Sequence, residues 1–281
     1  MPKTEGTEII ELENGVYARL HDGLTNAGII IGDDSVMVID SLRVPSFARD
    51  LIQDIKHITD KKIKFVIDTH AHWDHAWGNE EFPDATIIGH KNCYAEMIDV
   101  EWNEQWRKKV TSSNDPWSEE GNIVNITPPN MTFETSMQLY FGGRELDLKY
   151  FGRAHTSGDI YIHLPKEKIV FTGDVAQDGG VPYLGDCYPV DWPDTDNKLA
   201  ALPIERFMSG HGPIGDHKAL EGARDFIHNL VDSVKSAIAD GQNSVQASES
   251  VIAQLTPEYG NWRSFDRIGE NLTSVYEKLK V

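Results

Sequence analysis

Short apolar runs, broken by glycine, asparagine or paired charges, dominate the first third of the chain and read as strands. In "TEIIELENGVYARL" two such runs flank Asn14-Gly15, a hairpin signal. "NAGIIIGDDSVMVIDS" repeats the pattern around Gly32-Asp33-Asp34. From Pro45 to about His57 the period becomes helical, with Phe47, Leu51 and Ile55 four apart. In "KIKFVIDTH" the apolar residues run together rather than alternate, as expected of a buried strand covered on both faces, and "ATIIGH" is another short strand. "KNCYAEMIDVEWNEQWRKKV" reads as one helical stretch, and Thr111 to Pro129 as a long polar loop. Strands return in "SMQLYFGG", "RELDLKYFG", "GDIYIHLP" and "KIVFTGD". An irregular run, a short helix around Leu199 and the strand "IERFMSGHG" follow. Asp216 is placed to cap a helix running to about Asp240, with Gly241 just past its end. Two further helices are expected near 244–255 and 262–279.

The order is strands and helices twice over, with no Pro/Gly/Ser linker between. It predicts an α/β chain of two β-rich halves packed face to face with helices outside. We read a single domain over 1–281, with its core at about 8–240 and a C-terminal helical extension at 241–281. The stripe Trp262, Phe265, Ile268, Leu272, Val275 and Leu279 should pack onto its own domain, a homodimer interface being the alternative.

The formal net charge of −19, from 45 acidic and 26 basic residues, disfavours nucleic acid and anionic membranes as partners. No apolar run is long enough for a transmembrane helix, and the N-terminus lacks a signal-peptide core. Cys93 and Cys187 are too few for a disulfide framework. They read as reduced thiols of a cytoplasmic protein acting on a small molecule.

One stretch changes the picture. "FVIDTHAHWDHAWGN" contains His70, His72, Asp74 and His75 as H-x-H-x-D-H. On an extended strand exit, residues two apart point the same way, so His70 and His72 can converge on one point. If a helix starts just after, Asp74 and His75 face a neighbouring point. Imidazole with carboxylate suits zinc, and also iron, manganese or cobalt. His155, Asp174 and His211 each sit near glycine at a strand exit and could line the same cleft. His21, His57, His90, His163, His217 and His228 read as structural or surface residues. Asp68, Thr69, Thr156 and Asp159 neighbour the candidate ligands and either orient imidazoles or cap turns.

In order and spacing, H-x-H-x-D-H, His155, the "TGD" aspartate Asp174 and the "GHG" histidine His211 resemble the metallo-β-lactamase superfamily. The resemblance implies a four-layer αβ/βα sandwich with a two-metal site at one sheet edge. By position, His70, His72 and His155 would hold one ion and Asp74, His75 and His211 the other, with Asp174 bridging. Two zinc ions are the first expectation, with iron or manganese as alternatives. The implied chemistry is attack on a carbonyl by a bridging metal-bound hydroxide, with Asp74 orienting it. Neither Ser157 nor Cys187 is then needed as a nucleophile.

Family members that are true β-lactamases generally carry cysteine, serine or another residue where Asp174 stands. The resemblance therefore points first to hydrolysis of a small ester, lactone, thioester or amide, with β-lactam hydrolysis as the alternative. An iron-dependent dioxygenase on the same fold is an alternative of another class. The acidic surface argues against the nuclease branch. The cluster Arg107 to Lys109 reads as a helix end. Trp102 and Trp106, four apart, read as core, while Tyr183, Tyr188 and Trp192 are candidate pocket walls.

Overall fold

A computed structural model describes residues 5–280. Strands β1 (Thr7–Glu13) and β2 (Val16–His21) form the hairpin expected at Asn14-Gly15. Gly15 there takes φ +73°, a left-handed value that glycine adopts at little cost. Then come β3 (Ala27–Ile31), β4 (Ser35–Ile39), helix α1 (Pro45–Ile58), β5 (Lys62–Ile67), the one-turn α2 (Trp73–Ala76) and β6 (Thr86–His90). Helices α3 (Lys91–Ile98), α4 (Val100–Thr111) and α5 (Ser118–Gly121) lead to β7 (Met131–Phe133). The second half runs β8 (Ser136–Phe141), β9 (Arg144–Lys149), β10 (Tyr161–Leu164), β11 (Ile169–Gly173), α6 (Trp192–Ala200), β12 (Arg206–Ser209) and β13 (Ile214–Asp216). It ends with α7 (His217–Ala239), α8 (Ser244–Tyr259) and α9 (Gly269–Leu279).

The first sheet has the order β1-β2-β3-β4-β5-β6-β7 and the second β13-β12-β11-β10-β9-β8. Period-two alternation sorts the side chains into layers. In β4, Met37 and Ile39 point inward, where they meet Ile162, Leu164 and Phe171 of the second sheet. Val36 and Val38 point the other way, onto Ala48, Leu51 and Ile55 of α1. In the second sheet, Tyr161, Val170 and Phe207 turn outward to the helices that close the molecule, α7 to α9 among them. The result is the four-layer αβ/βα sandwich with extra C-terminal helices.

Several local expectations are corrected. The helical stretch after His90 is two helices. Asp99, at φ −72° and ψ 112°, breaks it, and its side chain accepts from the Trp102 N–H at 3.0 Å to start α4. The long loop contains α5, and the short strands β7 and β13 carry too few apolar residues to show a period. Phe265, Ile268, Leu272 and Val275 are buried in the outer helical layer, with Trp262 and Leu279 partly buried against it. That stripe therefore packs mainly onto its own domain.

Two parallel pairings position the site. β4 pairs with β5, and β11 with β12, so in each pair the C-terminal ends fall on one edge. Asp40, the segment 68–75, Asp174 and His211 all emerge at or just beyond these ends.

Candidate metal centre

At the exit of β5, the extended residues 70–72 and the turn of α2 separate the motif into two directions. His72 ends the extended part at φ −61° and ψ 145°, while Asp74 and His75 lie within α2. His70 Nε2 and His155 Nε2 stand 3.1 and 2.8 Å from His72 Nδ1. Asp74 Oδ2 stands 3.2 Å from His211 Nε2 and 3.7 Å from His75 Nε2. Asp174 lies between the groups. Its Oδ1 is 3.4 Å from His75 Nε2, and its Oδ2 is 3.3 Å from His211 Nε2 and 3.6 Å from His155 Nε2. All seven expected residues thus meet in one place, as sets that could each hold an ion.

The hydrogen bonds test whether a cation fits. Thr69 Oγ1 donates to Asp40 Oδ2 at 2.9 Å and so accepts from His70 Nδ1 at 3.0 Å. His75 Nδ1 donates to Asp40 Oδ2 at 2.8 Å. His211 Nδ1 donates to the Leu24 carbonyl at 3.1 Å, and His72 Nε2 to Asp186 Oδ2 at 3.0 Å. In the neutral rings these partners assign the tautomers, and each leaves the inward-facing ring nitrogen free to act as a ligand. Bare lone pairs at such separations repel one another unless a cation lies between them. Ligands of a tetrahedral zinc bonded at roughly 2.0–2.1 Å stand about 3.4 Å apart, comparable to the spacings seen. His75 Nε2 and Asp174 Oδ1 are also buried without a hydrogen-bond partner. The donor set fits two divalent ions.

Electrostatics separate the two sets. Burial, reinforced by the neighbouring His72, lowers His155 to about 3, so its ring is neutral as a ligand must be. Burial and the adjacent imidazoles likewise push His70 well down. On the other side burial opposes a charge, but Asp174 and Asp74 outweigh it, raising His211 to about 9 and His75 well above its usual value, so these rings hold a proton toward the carboxylates that a metal ion would have to displace. For Asp174, burial is outweighed by His211 and His75, which hold the carboxyl well below its usual range.

Of the expected helpers, only Thr69 touches a ligand ring. Asp68 accepts from Asn79 Nδ2, and Asp159 accepts from the N–H and hydroxyl of Thr156, closing a turn. The more telling partners lack a motif. Asp40 serves both sets, directly through His75 and through Thr69 to His70. It sits where "VMVID" leaves β4 with φ +62°, an uncommon value for aspartate. That strand exit mirrors "FVID" and was the one available signal. Thr25 Oγ1 donates to Asp74 Oδ2 at 2.8 Å and accepts from Arg43 Nη2 at 3.0 Å. The Arg43 guanidinium lies over the rings of Phe47, Trp73 and Trp117 at 5.4, 5.3 and 4.6 Å. Thr25, Arg43 and Asp186 reach the site only through folding.

A cleft of about 750 Å³ opens over Asp74, Asp174 and His211. Tyr183 lines it together with Trp106, which is both core and wall. His21, expected to be merely structural, lines it as well. Two candidate walls are corrected. Trp192 is 1% exposed, because the first turn of α6 inserts it into the outer core, where its indole N–H donates to Asp196. Tyr188 stacks on the Arg153 guanidinium at 4.5 Å and is not part of the cleft.

The family profile described as metallo-beta-lactamase superfamily matches residues 21–211. A protein named metallo-beta-lactamase type 2 from Elizabethkingia meningoseptica is 24% identical over 217 residues, covering 75% of this chain and 78% of its own. Its Bacillus cereus namesake is 22% identical over 208 residues, covering 72% and 73%. The solved structure of a metallo-beta-lactamase from Pontibacter korlensis superposes with a TM-score of 0.65 at 18% identity, covering 79% of this chain and 99% of its own. At that identity the likeness shows the fold.

Proposed function

This chain belongs to the metallo-beta-lactamase superfamily, and on that premise we propose that it hydrolyses a small ester, lactone, thioester or amide with two zinc ions. The observation that carries the reading is the convergence of seven histidine and aspartate side chains in adjoining sets on both sides of Asp174. In it, His70, His72 and His155 would hold one ion and Asp74, His75 and His211 the other, with Asp174 placed to serve both. Two divalent ions so held would supply a water of lowered pKa and polarise the carbonyl under attack.

The chain's own groups do the rest. Burial disfavours charge on Asp74, yet His75, His211 and Arg43 outweigh it and hold its pKa well below the usual range. An ionised Asp74, fixed by the Thr25 hydroxyl, can accept a hydrogen bond from the attacking water and later pass a proton to the leaving group. Trp106 and Tyr183 give the cleft an apolar wall for the acyl group, and its volume suits a small molecule. Cytoplasmic residence belongs to the same reading, supported by Cys93 and Cys187 being buried and unpaired.

A β-lactamase reading draws support from the names of the relatives, but their identity is low and Asp174 favours the ester and lactone side. Metal analysis coupled to a hydrolysis screen over lactones, thioesters, aryl esters and a chromogenic cephalosporin separates the readings. Two zinc ions per chain and turnover of the first three is the expected result. Efficient turnover of the cephalosporin alone would reverse the ranking, and one iron per chain without hydrolysis would favour the dioxygenase.

A further inference from the structure

The C-terminal segment lies outside the stretch matched by the family profile, yet it supplies part of the cleft wall: Arg263, Ser264, Arg267 and Glu270 line it. The main chain of Arg263 is fixed. Its N–H donates to the Gly179 carbonyl, and its carbonyl accepts from the Val181 N–H, both at 2.9 Å. The guanidinium then lies across Gly180 and Gly212, where a Cβ on either residue would collide with it. Gly212 directly follows His211, so this cation sits at the edge of the candidate metal centre.

Among the described residues the Arg263 guanidinium is in no ion pair and no side-chain hydrogen bond. Asp178 acts on it only at a distance. Lys109, on α4, also faces the cleft and is in no ion pair. Its ammonium lies 4.3 and 4.1 Å from the ring centres of Trp106 and Tyr183. Arg267, by contrast, is held by Glu270 at 2.9 Å. What sets Arg263 and Lys109 apart is their place: both line the cleft, one held across two glycines and the other over two aromatic rings. Glu8, Asp22 and Asp115 also line the cleft, yet none pairs with Arg263 or Lys109.

We propose that Arg263 and Lys109 form an anion subsite of this cleft, so that the carbonyl substrate carries a carboxylate. The planar guanidinium, lying on two glycines with its N–H groups unused, suits a carboxylate in the two-pronged manner typical of arginine. The ammonium contributes a second charge from another wall, and the aromatic rings beneath it accept the apolar part of the same molecule. The substrate assignment rests on the hydrolase reading. The anion subsite does not, since it is read from the cations alone.

The test uses zinc-loaded protein in two arms. Binding of phenylacetate and of its neutral analogue phenylacetamide is measured for the wild type, Arg263→Gln, Arg263→Lys and Lys109→Gln. The expected result is that Arg263→Gln weakens phenylacetate relative to phenylacetamide by roughly ten- to a hundredfold, the range for a hydrogen bond to a charged group. Arg263→Lys should recover part of the loss, and Lys109→Gln should show a smaller one. In the kinetic arm, two aryl esters differ only in a terminal carboxylate or carboxamide. Their kcat/KM ratio should fall at least tenfold in Arg263→Gln. An unchanged binding ratio in both Gln variants overturns the subsite. A wild type that hydrolyses neither ester sinks the hydrolase reading, while the binding arm still decides whether the anion subsite exists.

Discussion

Asp40 is the most informative residue to perturb, because one carboxylate orients a ring from each ligand set. Its Oδ1 accepts the Thr69 N–H at 2.8 Å, and its Oδ2 accepts both the Thr69 hydroxyl and His75 Nδ1. In Asp40→Asn the amide must place its NH₂ group on one side or the other. On the first side it opposes the Thr69 N–H. On the second it opposes His75 Nδ1–H, and relief comes only if His75 moves its proton to Nε2. That proton would occupy the lone pair aimed at Asp74 and Asp174. A hydrogen bond to a charged acceptor is worth about 1.5–3 kcal/mol, and at 1.36 kcal/mol per factor of ten the affinity of the His75 set should fall roughly ten- to a hundredfold. The His70 set is one hydrogen bond further away, through Thr69, and should lose less. Stepwise metal titration against a coloured chelator reads both constants, and thermal melting of the metal-free variant checks that it folds. Wild-type affinity at both steps would refute the idea that Asp40 orients these rings.

Three other outcomes follow from the structure. Gly210→Ala should weaken metal binding with little loss of secondary structure, because a Cβ there would strike Asp174 Oδ1 and His75 Cε1; unchanged zinc stoichiometry at limiting metal would contradict this. Burial, opposed by the Thr156 hydrogen bonds, raises Asp159 from 3.8 to about 7. The folded state therefore binds this proton more tightly than the unfolded state. Its stabilising contribution is complete below about pH 4 and is lost as pH rises through 7. Asp159→Asn should gain on the wild type across that window by up to roughly 4 kcal/mol, read by urea unfolding of metal-free protein at pH 4 to 8; parallel curves would disprove it. Arg19 Nε and Asp54 Oδ2 are 2.8 Å apart and fully buried beneath the first sheet. Removing the carboxylate in Asp54→Ala should cost about 3–5 kcal/mol by leaving a buried charge without this partner, and a loss under 1 kcal/mol by denaturant titration would count against the pair's role.

What was legible in the sequence was whatever depends on near neighbours. The Asn14-Gly15 turn, the α1 period and the alternation in β4 are local matters of backbone and side-chain direction. The motif from His70 to His75 is local too, since the strand exit and the turn of α2 alone divide it into two directions. His155, Asp174 and His211 were legible as strand-exit residues, and their convergence was expected from the resemblance. The break at Asp99 was not legible, because a capping aspartate inside an otherwise helical period looks like an ordinary surface residue.

Only the tertiary structure decided the rest, because those contacts are set by packing between elements distant in the chain. Asp186 reaches His72 from a loop whose carbonyls at Gly185 and Cys187 are tied down by Lys278 of α9. Arg43 is linked to Asp74 by hydrogen bonds through Thr25, which lies in the connection between β2 and β3. Trp192 and Tyr183 looked alike in sequence, yet one is sealed in the outer core and the other walls the cleft. Spacing along a chain fixes which way a side chain leaves its own strand or helix. What it meets there depends on how sheets and helices stack, and no local pattern encodes that distance.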